Sequence, residues 1–284
     1  MKRIIIITGA SSGIGQEFAR QILDFRQADE LWLVARREER LRELAAELEA
    51  SWEKSIPAGR GKNLPGSGPL PRPAVRIIAQ DISGRLGYRL FSQLFAEETQ
   101  RGEFTIDTLV NNAGFGTYGP FADTPPEREM EMVELNATSL TGTCGAALPY
   151  MSRGSSIINV ASLAAYIPLG NFAVYAASKS YVRSFSLALA AELKDRGIHV
   201  LALCPGSVAT EFARVASNGA REEVLRGKPV DKVVRHALIC QKKKRKIALW
   251  ALKWKLNALM SRFVGHYRFA RHTYLHEKRP YRPE

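Results

Sequence analysis

The sequence predicts a single α/β domain built on a doubly wound parallel sheet, and three observations carry that prediction. Six short runs are apolar and rich in β-branched residues throughout, without alternation. That is the pattern of strands covered on both faces, and so of a parallel sheet between two helix layers. Helical stretches separate the runs, as crossovers between parallel neighbours require. The first run ends in a glycine-rich turn that opens directly into a helix, which is where such sheets hold a phosphate. With 284 residues, one core suffices for an α/β domain.

The strands are expected at 3–8, 31–35, 75–80, 108–111, 156–161 and 200–204. Ile4 to Ile7 form the first, and a helical run begins at Gln16. A charged helix follows the second strand over 38–54. Residues 55–73 hold five prolines and four glycines, so this insertion can extend neither that helix nor a strand. It joins a helix to a strand, which places it as a surface loop at the sheet edge opposite the nucleotide. After the sixth strand, residues from about 207 to 229 have the length and place of a mobile substrate lid. The catalytic domain is expected over 1–240. Residues 241–284 form a basic extension with a last strand at 247–250 and an amphipathic helix.

Thr8-Gly9-Ala10-Ser11-Ser12-Gly13-Ile14-Gly15 lets the backbone turn tightly and approach a phosphate, whose charge the helix N-terminus stabilises. The spacing is neither G-x-G-x-x-G nor that of a phosphate-loop NTPase. Tyr175 and Lys179 lie four apart on an expected helix, so they share a face. There the ammonium favours phenolate and lowers a phenol pKa that starts near ~10. Ser162 ends the fifth strand opposite that helix, where its hydroxyl can donate to a substrate oxygen. Each also has a plainer reading: a buried phenol, a strand-end cap and, for Asn136, a satisfied core amide.

In order along roughly residues 1–215, the T-G-x-x-x-G-x-G turn, Asp81, Asn111-Asn112-Ala113-Gly114, Asn136, Ser162, Tyr175 with Lys179, and Pro205-Gly206 followed by Thr210 resemble the short-chain dehydrogenase/reductase family. The resemblance implies a Rossmann-like fold and hydride exchange between a nicotinamide and a carbonyl or alcohol. It makes Tyr175 the general acid in reduction and the base in oxidation. Lys179 depresses the Tyr175 pKa and holds the nicotinamide ribose, Ser162 polarises the substrate oxygen, and Asn136 holds a water linking Lys179 to solvent. The cofactor would lie along Gly9, Ser11, Ser12, Gly13, Ile14 and Gly15, then Asp81 and Ile82 at the adenine, Asn112 to Gly114, and Pro205, Gly206, Val208 and Thr210 at the nicotinamide. The family often forms homodimers or homotetramers, and Val182, Phe185, Leu189 and Leu193 offer a suitable stripe.

Ala35 stands where NAD-preferring relatives carry Asp, and Arg36 follows. A cation there accepts the 2'-phosphate that an acid would repel. NADP(H) is therefore the expected cofactor, with Arg36 as the clamp and Arg37 as its neighbour. Some NADP-preferring relatives add a basic residue in the glycine loop, where this chain has Ser12. The alternative is that both arginines merely open a charged helix. Phe115, Tyr118, Leu163, Ile167, Leu169, Phe172 and Phe212 are the expected pocket walls. They offer no carboxylate clamp, which favours a lipophilic ketone, aldehyde or secondary alcohol. A competing reading is a silent cofactor-binding regulator or scaffold. Such proteins tend to lose the Asn136, Ser162, Tyr175 and Lys179 set, which is complete here.

The formal charge of +13 suggests nucleic acid until it is divided along the chain. Residues 240–284 hold thirteen Lys or Arg against two Glu, so the catalytic body is nearly neutral and no nucleic-acid partner is expected. In the tail, Leu252, Leu256, Leu259, Met260, Phe263 and Tyr267 form a stripe among Lys253, Lys255, Arg262, His266 and Arg268. The favoured reading packs this stripe over the pocket or a subunit interface. The alternative is peripheral contact of residues 242–268 with an anionic membrane surface. Cys144, Cys204 and Cys240 lack metal-ligand spacing, so no metal is expected. The first apolar run is too short for a leader, and no stretch reaches the ~20 apolar residues of a membrane span. The expected location is the cytoplasm.

Overall fold

Four consecutive isoleucines, Ile4 to Ile7, are all fully buried, and they show how the sheet is sandwiched. The computed structural model describes residues 1–54, 72–224 and 226–282. Its seven parallel strands are β1 (Lys2–Thr8), β2 (Glu30–Ala35), β3 (Ala74–Ala79), β4 (Phe104–Asn111), β5 (Ser156–Val160), β6 (His199–Leu203) and β7 (Ile247–Ala248). They run in the order β3-β2-β1-β4-β5-β6-β7. Side chains alternate across a strand, so Ile4 and Ile6 enter one core with Phe91, Phe95 and Val182. Ile5 and Ile7 enter the other with Phe18, Leu41 and Val233. Each such side chain contributes about 1.5–3 kcal/mol on burial.

The helices are α1 (Gly13–Gln21), α2 (Glu38–Lys54), α3 (Arg85–Arg101), α4 (Pro126–Val133), α5 (Leu140–Ala147), α6 (Ala173–Glu192), α7 (Phe212–Ala216), α8 (Val230–Lys242), α9 (Leu252–Met260) and α10 (His266–His276). A π turn, Glu134–Ser139, joins α4 to α5. The chain builds outward from β1 to β3, then returns to β4 on the other side of β1. The crevice at the carboxyl ends of β1 and β4 is therefore the switch point at which doubly wound sheets bind ligands.

The expected strands are present, with two differences of length. β4 begins four residues earlier than its apolar run, because Thr105 and Asp107 interrupt the pattern. Asp107 is buried yet accepts from Arg26 Nε (2.6 Å) and pairs with Arg3, which removes the penalty of an unpaired charge. β7 is only two residues long. Of the expected surface loop, residues 55–71 lie outside the described residues. The expected oligomer stripe on α6 is corrected: Val182, Leu189 and Leu193 are buried in this chain's own core. Among the described residues no helix is long and apolar enough to cross a membrane.

The tail docks back over the carboxyl edge of the sheet. Trp254 of α9 covers the turn at Gly206, where any Cβ would lie 2.4 Å from its indole nitrogen. Asn171, at φ +60°, donates its Nδ2 to the carbonyls of Thr273, Tyr274 and Glu277 at 3.2, 3.0 and 3.1 Å, and so caps the end of α10. The Gly170 amide donates to Thr273 Oγ1 at 2.8 Å. Asn171→Ala loses these bonds and the short polar side chain that lets asparagine tolerate positive φ, at a cost of about 2–4 kcal/mol. A urea midpoint shift should report that loss, with Asn171→Gly losing less. An unchanged midpoint in Asn171→Ala would show that the anchor contributes nothing.

Candidate active site

A cavity of about 1060 Å³ runs along the carboxyl edge of the sheet, from the glycine turn to the tail. At its nucleotide end the backbone packs too closely for side chains. A Cβ on Gly15 would lie 2.2 Å from the Gly9 carbonyl oxygen, and one on Gly9 would lie 2.7 Å from Asn112 Nδ2. Gly9 and Gly13 also take positive φ, at +65° and +53°, which side chains resist. Asn112 Nδ2 donates to the carbonyls of Thr8 and Gly9, both at 3.1 Å, while Thr8 Oγ1 accepts from the Asn112 and Ala113 amides. These bonds lock 112–114 to the cradle. Asn111 Nδ2 meets Asn159 Oδ1 at 3.0 Å and pins β4 to β5.

Ser11, Ser12, Ile14, Asp81, Ile82, Ala113, Gly114, Pro205, Val208 and Thr210 all line the same cavity, so the expected cofactor residues converge. Thr210 packs over Gly13, whose added Cβ would lie 3.1 Å from the threonine methyl. The two arginines divide differently from expectation. Arg36 is exposed and lines the cavity wall near Asp81. Burial pushes the Asp81 carboxyl up, but the Ser83 hydroxyl and amide and the Arg36 charge together hold it below its ordinary value. Arg37 is the residue that reaches the glycine loop, donating to Ser11 Oγ at 3.1 Å and Ser12 Oγ at 2.8 Å while pairing with Glu211 at 2.6 Å. The Arg37 hydrogen bond is the main reason that the Glu211 carboxyl falls to about 2.

At the reaction end, Ser162 follows β5 in extended backbone and caps a short turn by accepting from Ala164 N at 3.1 Å. The plainer cap reading therefore holds, and the hydroxyl donates to the Pro205 carbonyl at 3.5 Å. Tyr175 and Lys179 lie on one face of α6 and are 7% and 5% exposed. The Lys179 ammonium is 5.8 Å from the Tyr175 ring centre and donates to the Val160 carbonyl at 2.9 Å. Phe172 stacks on Tyr175 at 4.1 Å. Burial pushes the phenol up to about 12, against the pull of the Ser162 hydrogen bond, and takes Lys179 down to about 8. This corrects the expectation that Lys179 would depress the Tyr175 pKa. Desolvation outweighs attraction here because the ammonium bonds a carbonyl and not the phenol.

Asn136 lies in the π turn, a feature frequent at functional sites. Its Oδ1 accepts from Phe115 N at 3.0 Å, and its Nδ2 donates to Phe115 O at 2.9 Å and Ser178 Oγ at 3.1 Å. The amide is thus a strut holding the loop after β4 against α6. Only glycine fits at 114, since its Cβ would lie 2.5 Å from Asn136 Oδ1 and 3.4 Å from Lys179 Nζ. All seven expected wall residues line the cavity, but Arg221, Trp254 and Arg279 join them. Sequence reasoning missed these three because they lie beyond the motifs and reach the site only through tertiary docking. The favoured reading of the tail stripe fails in part. Trp254 and Ala258 pack inward, whereas Leu252, Phe263 and Tyr267 are 81, 77 and 81% exposed.

A glycine cradle at the switch point, with a serine, tyrosine and lysine gathered beyond it, defines a Rossmann-type nucleotide-binding oxidoreductase. The short chain dehydrogenase family profile matches residues 3–59 and 77–220, and the chain belongs to that family. It is 31% identical over 223 residues to sulfoacetaldehyde reductase 2 of Chromohalobacter salexigens, covering 77% of this chain and 78% of that one. It is 33% identical over 228 residues to serine 3-dehydrogenase of Rhizobium radiobacter, covering 78% of each. The solved structure of a short-chain dehydrogenase from Sphingobium yanoikuyae in complex with NADPH superposes with a TM-score of 0.71 at 27% identity, covering 92% of this chain and 93% of that one.

Lys179 has a folded-state pKa below that of a free lysine, so it carries its charge below about pH 8 and loses it above. Its 13Cε resonance, identified by its absence in Lys179→Met, should titrate near 8 while exposed lysines titrate near ~10.4. A midpoint among the exposed lysines would show that burial does not control the ammonium.

Proposed function

We propose that the protein is an NADP(H)-dependent oxidoreductase interconverting a lipophilic ketone or aldehyde with its alcohol. The observation that carries this reading is the convergence of Ser162, Tyr175 and Lys179 in one cavity with the glycine cradle. A nicotinamide cofactor supplies hydride chemistry there. The cradle around Gly9 and Gly15 would hold its pyrophosphate. Arg37 on Ser11 and Ser12, with Arg36 at the wall, would receive the 2'-phosphate. The NADPH of the Sphingobium relative supports that choice.

The chain's own residues then do three things. Ser162 and Tyr175 both present hydroxyls to the reacting oxygen, an arrangement of the oxyanion-hole type. Tyr175 gives its proton in reduction and takes one in oxidation. Its raised pKa keeps the free enzyme in the proton-donating form. Lys179 places a cation beneath that exchange and a donor toward the ribose, while Asn136 holds Phe115 and the loop that closes the pocket. The apolar walls exclude water and favour a lipophilic body. The complete set of four residues speaks against a silent regulator.

Tyr175→Phe should lower turnover about 10²–10⁴-fold, the usual general acid contribution, while NADPH affinity by calorimetry stays near wild type. Full turnover in that variant would refute the mechanism. In a cofactor comparison, NADPH should be favoured over NADH, and Arg37→Ala together with Arg36→Ala should narrow the ratio about tenfold or more. Equal use of both cofactors by the parent protein would overturn the assignment.

For the tail we propose peripheral contact of the outer face of α9 with an anionic membrane. Leu252, Leu256, Leu259 and Phe263 share one exposed face, flanked by Lys253, Lys255 and Arg262, which is the make-up of an interfacial helix. Sedimentation with phosphatidylserine vesicles should fall on Leu252→Ser with Phe263→Ser. Equal pelleting of both proteins would reject this surface.

A further inference from the structure

The cavity wall carries cations that the family motifs do not account for. Asn171 and Gly170 anchor the tail, and the chain beyond α10 then brings Arg279 against the aromatic layer of the site. Its side chain is 16% exposed, and its guanidinium lies 5.4 Å from the Phe172 ring centre. Phe172 stacks at 4.1 Å on Tyr175, so the cation lies a single ring beyond Tyr175. Arg279 Nη1 donates to the Gly170 carbonyl at 2.9 Å and Nη2 to Glu277 at 2.8 Å. A guanidinium carries five N–H donors, so two bonds leave most of the fork unused. Arg221 reaches the same region from the segment after α7, 6.0 Å from the Tyr118 ring centre, and donates to the Lys278 carbonyl at 3.1 Å. Tyr118 in turn meets Phe172 edge-on at 5.0 Å.

Arg221, Lys278 and Arg279 all line the cavity, with Glu223 and Glu277 as the acids of that stretch. The balance is cationic, and Glu277 is half exposed, so it compensates the largely covered Arg279 only partly. Two arginines also repel each other unless an anion lies between them. Arg279 gives one nitrogen to the Gly170 anchor, and the rest of its largely covered guanidinium is left at the cavity wall.

We propose that the substrate carries an oxyanion group (carboxylate, sulfonate or phosphate) which Arg279 and Arg221 receive at the tail-lined end of the cavity. The rest of the molecule lies along Tyr118 and Phe172 and presents its carbonyl or alcohol oxygen to Ser162 and Tyr175. This inference rests on the reading of Tyr175 as the acid and base, and it deepens that reading by naming what recognises the substrate. The planar fork of arginine suits an oxyanion in a bidentate manner, and the short path through Phe172 lets one small molecule reach both ends. A lipophilic body and an anionic end are compatible, since the walls between the two sites are aromatic.

The test uses the full chain with NADPH and a matched pair of substrates, a medium-chain keto carboxylate and its methyl ester. The acid should be favoured in kcat/KM by about 10–100-fold, as charge-assisted hydrogen bonds imply. Arg279→Gln and, separately, Arg221→Gln should collapse that ratio toward one, with Arg279→Lys between. Arg221 lies outside the Gly170 anchor, so its variant keeps the test open if Arg279→Gln unfolds. A wild-type ratio near one overturns the proposal, and so does an equal fall for acid and ester in both glutamine variants. Calorimetric binding of the two compounds to Tyr175→Phe separates the two readings. Preference for the acid in that variant upholds the anion site even if turnover assigns Tyr175 no role, whereas equal affinity for acid and ester overturns the anion site whatever the turnover.

Discussion

A buried ammonium with one carbonyl partner sets the terms for the rest of the site. Lys179 donates to Val160 at the end of β5, so the fifth strand, the middle of α6 and the loop after β4 must meet at one point. That loop approaches only because residue 114 has no side chain, which leaves room for both Asn136 Oδ1 and Lys179 Nζ. Asn136 then holds Phe115 by both its amide and its carbonyl. Asn136 is carried on the π turn between α4 and α5. Desolvating a lysine is unfavourable, and the single hydrogen bond to the Val160 carbonyl offsets only part of that cost.

The enclosure that raises the Tyr175 pKa is built partly by the tail. Phe172 stacks on the phenol, and Phe172 follows directly after the Gly170-Asn171 pair on which α10 docks. Arg279 of the tail lies 5.4 Å from the other end of that stack, at the Phe172 ring centre. Packing of a distant segment thus reaches the surroundings of Tyr175 through Phe172. A chain with the same motifs and a different tail would hold the same four residues at a different dielectric and with a different wall.

The sheet was legible because each parallel strand is buried on both faces and so reads as an apolar run. The glycine turn was legible because closeness of backbone to backbone leaves glycine as the one residue that fits, as at Gly9 and Gly15. Less could be read where a polar residue was buried with a remote partner. Asp107 hid half of β4, since nothing local announces Arg26, eighty-one residues earlier. The α6 stripe could not be assigned to a subunit face or to the chain's own core, because an apolar periodicity states that a face is covered and not by what. Arg279 and Arg221 were invisible for the reason that Asn171 was: their meaning comes from where the tail docks.

The Arg37–Glu211 pair joins the two halves of the site. Arg37 touches Ser11 and Ser12 on the cradle, while Glu211 opens α7 beside Thr210. Glu211 stays ionised because Arg37 lies against it, so the pair ties the segment after β6 to the glycine loop across the cavity mouth. An anion that takes the Arg37 fork competes with the Glu211 carboxylate, and both cannot be fully bonded by one guanidinium that also serves two serine hydroxyls. Phe212, the next residue after Glu211, packs 5.5 Å from the Tyr175 ring centre, so the segment tied at Arg37 also lines the reaction end.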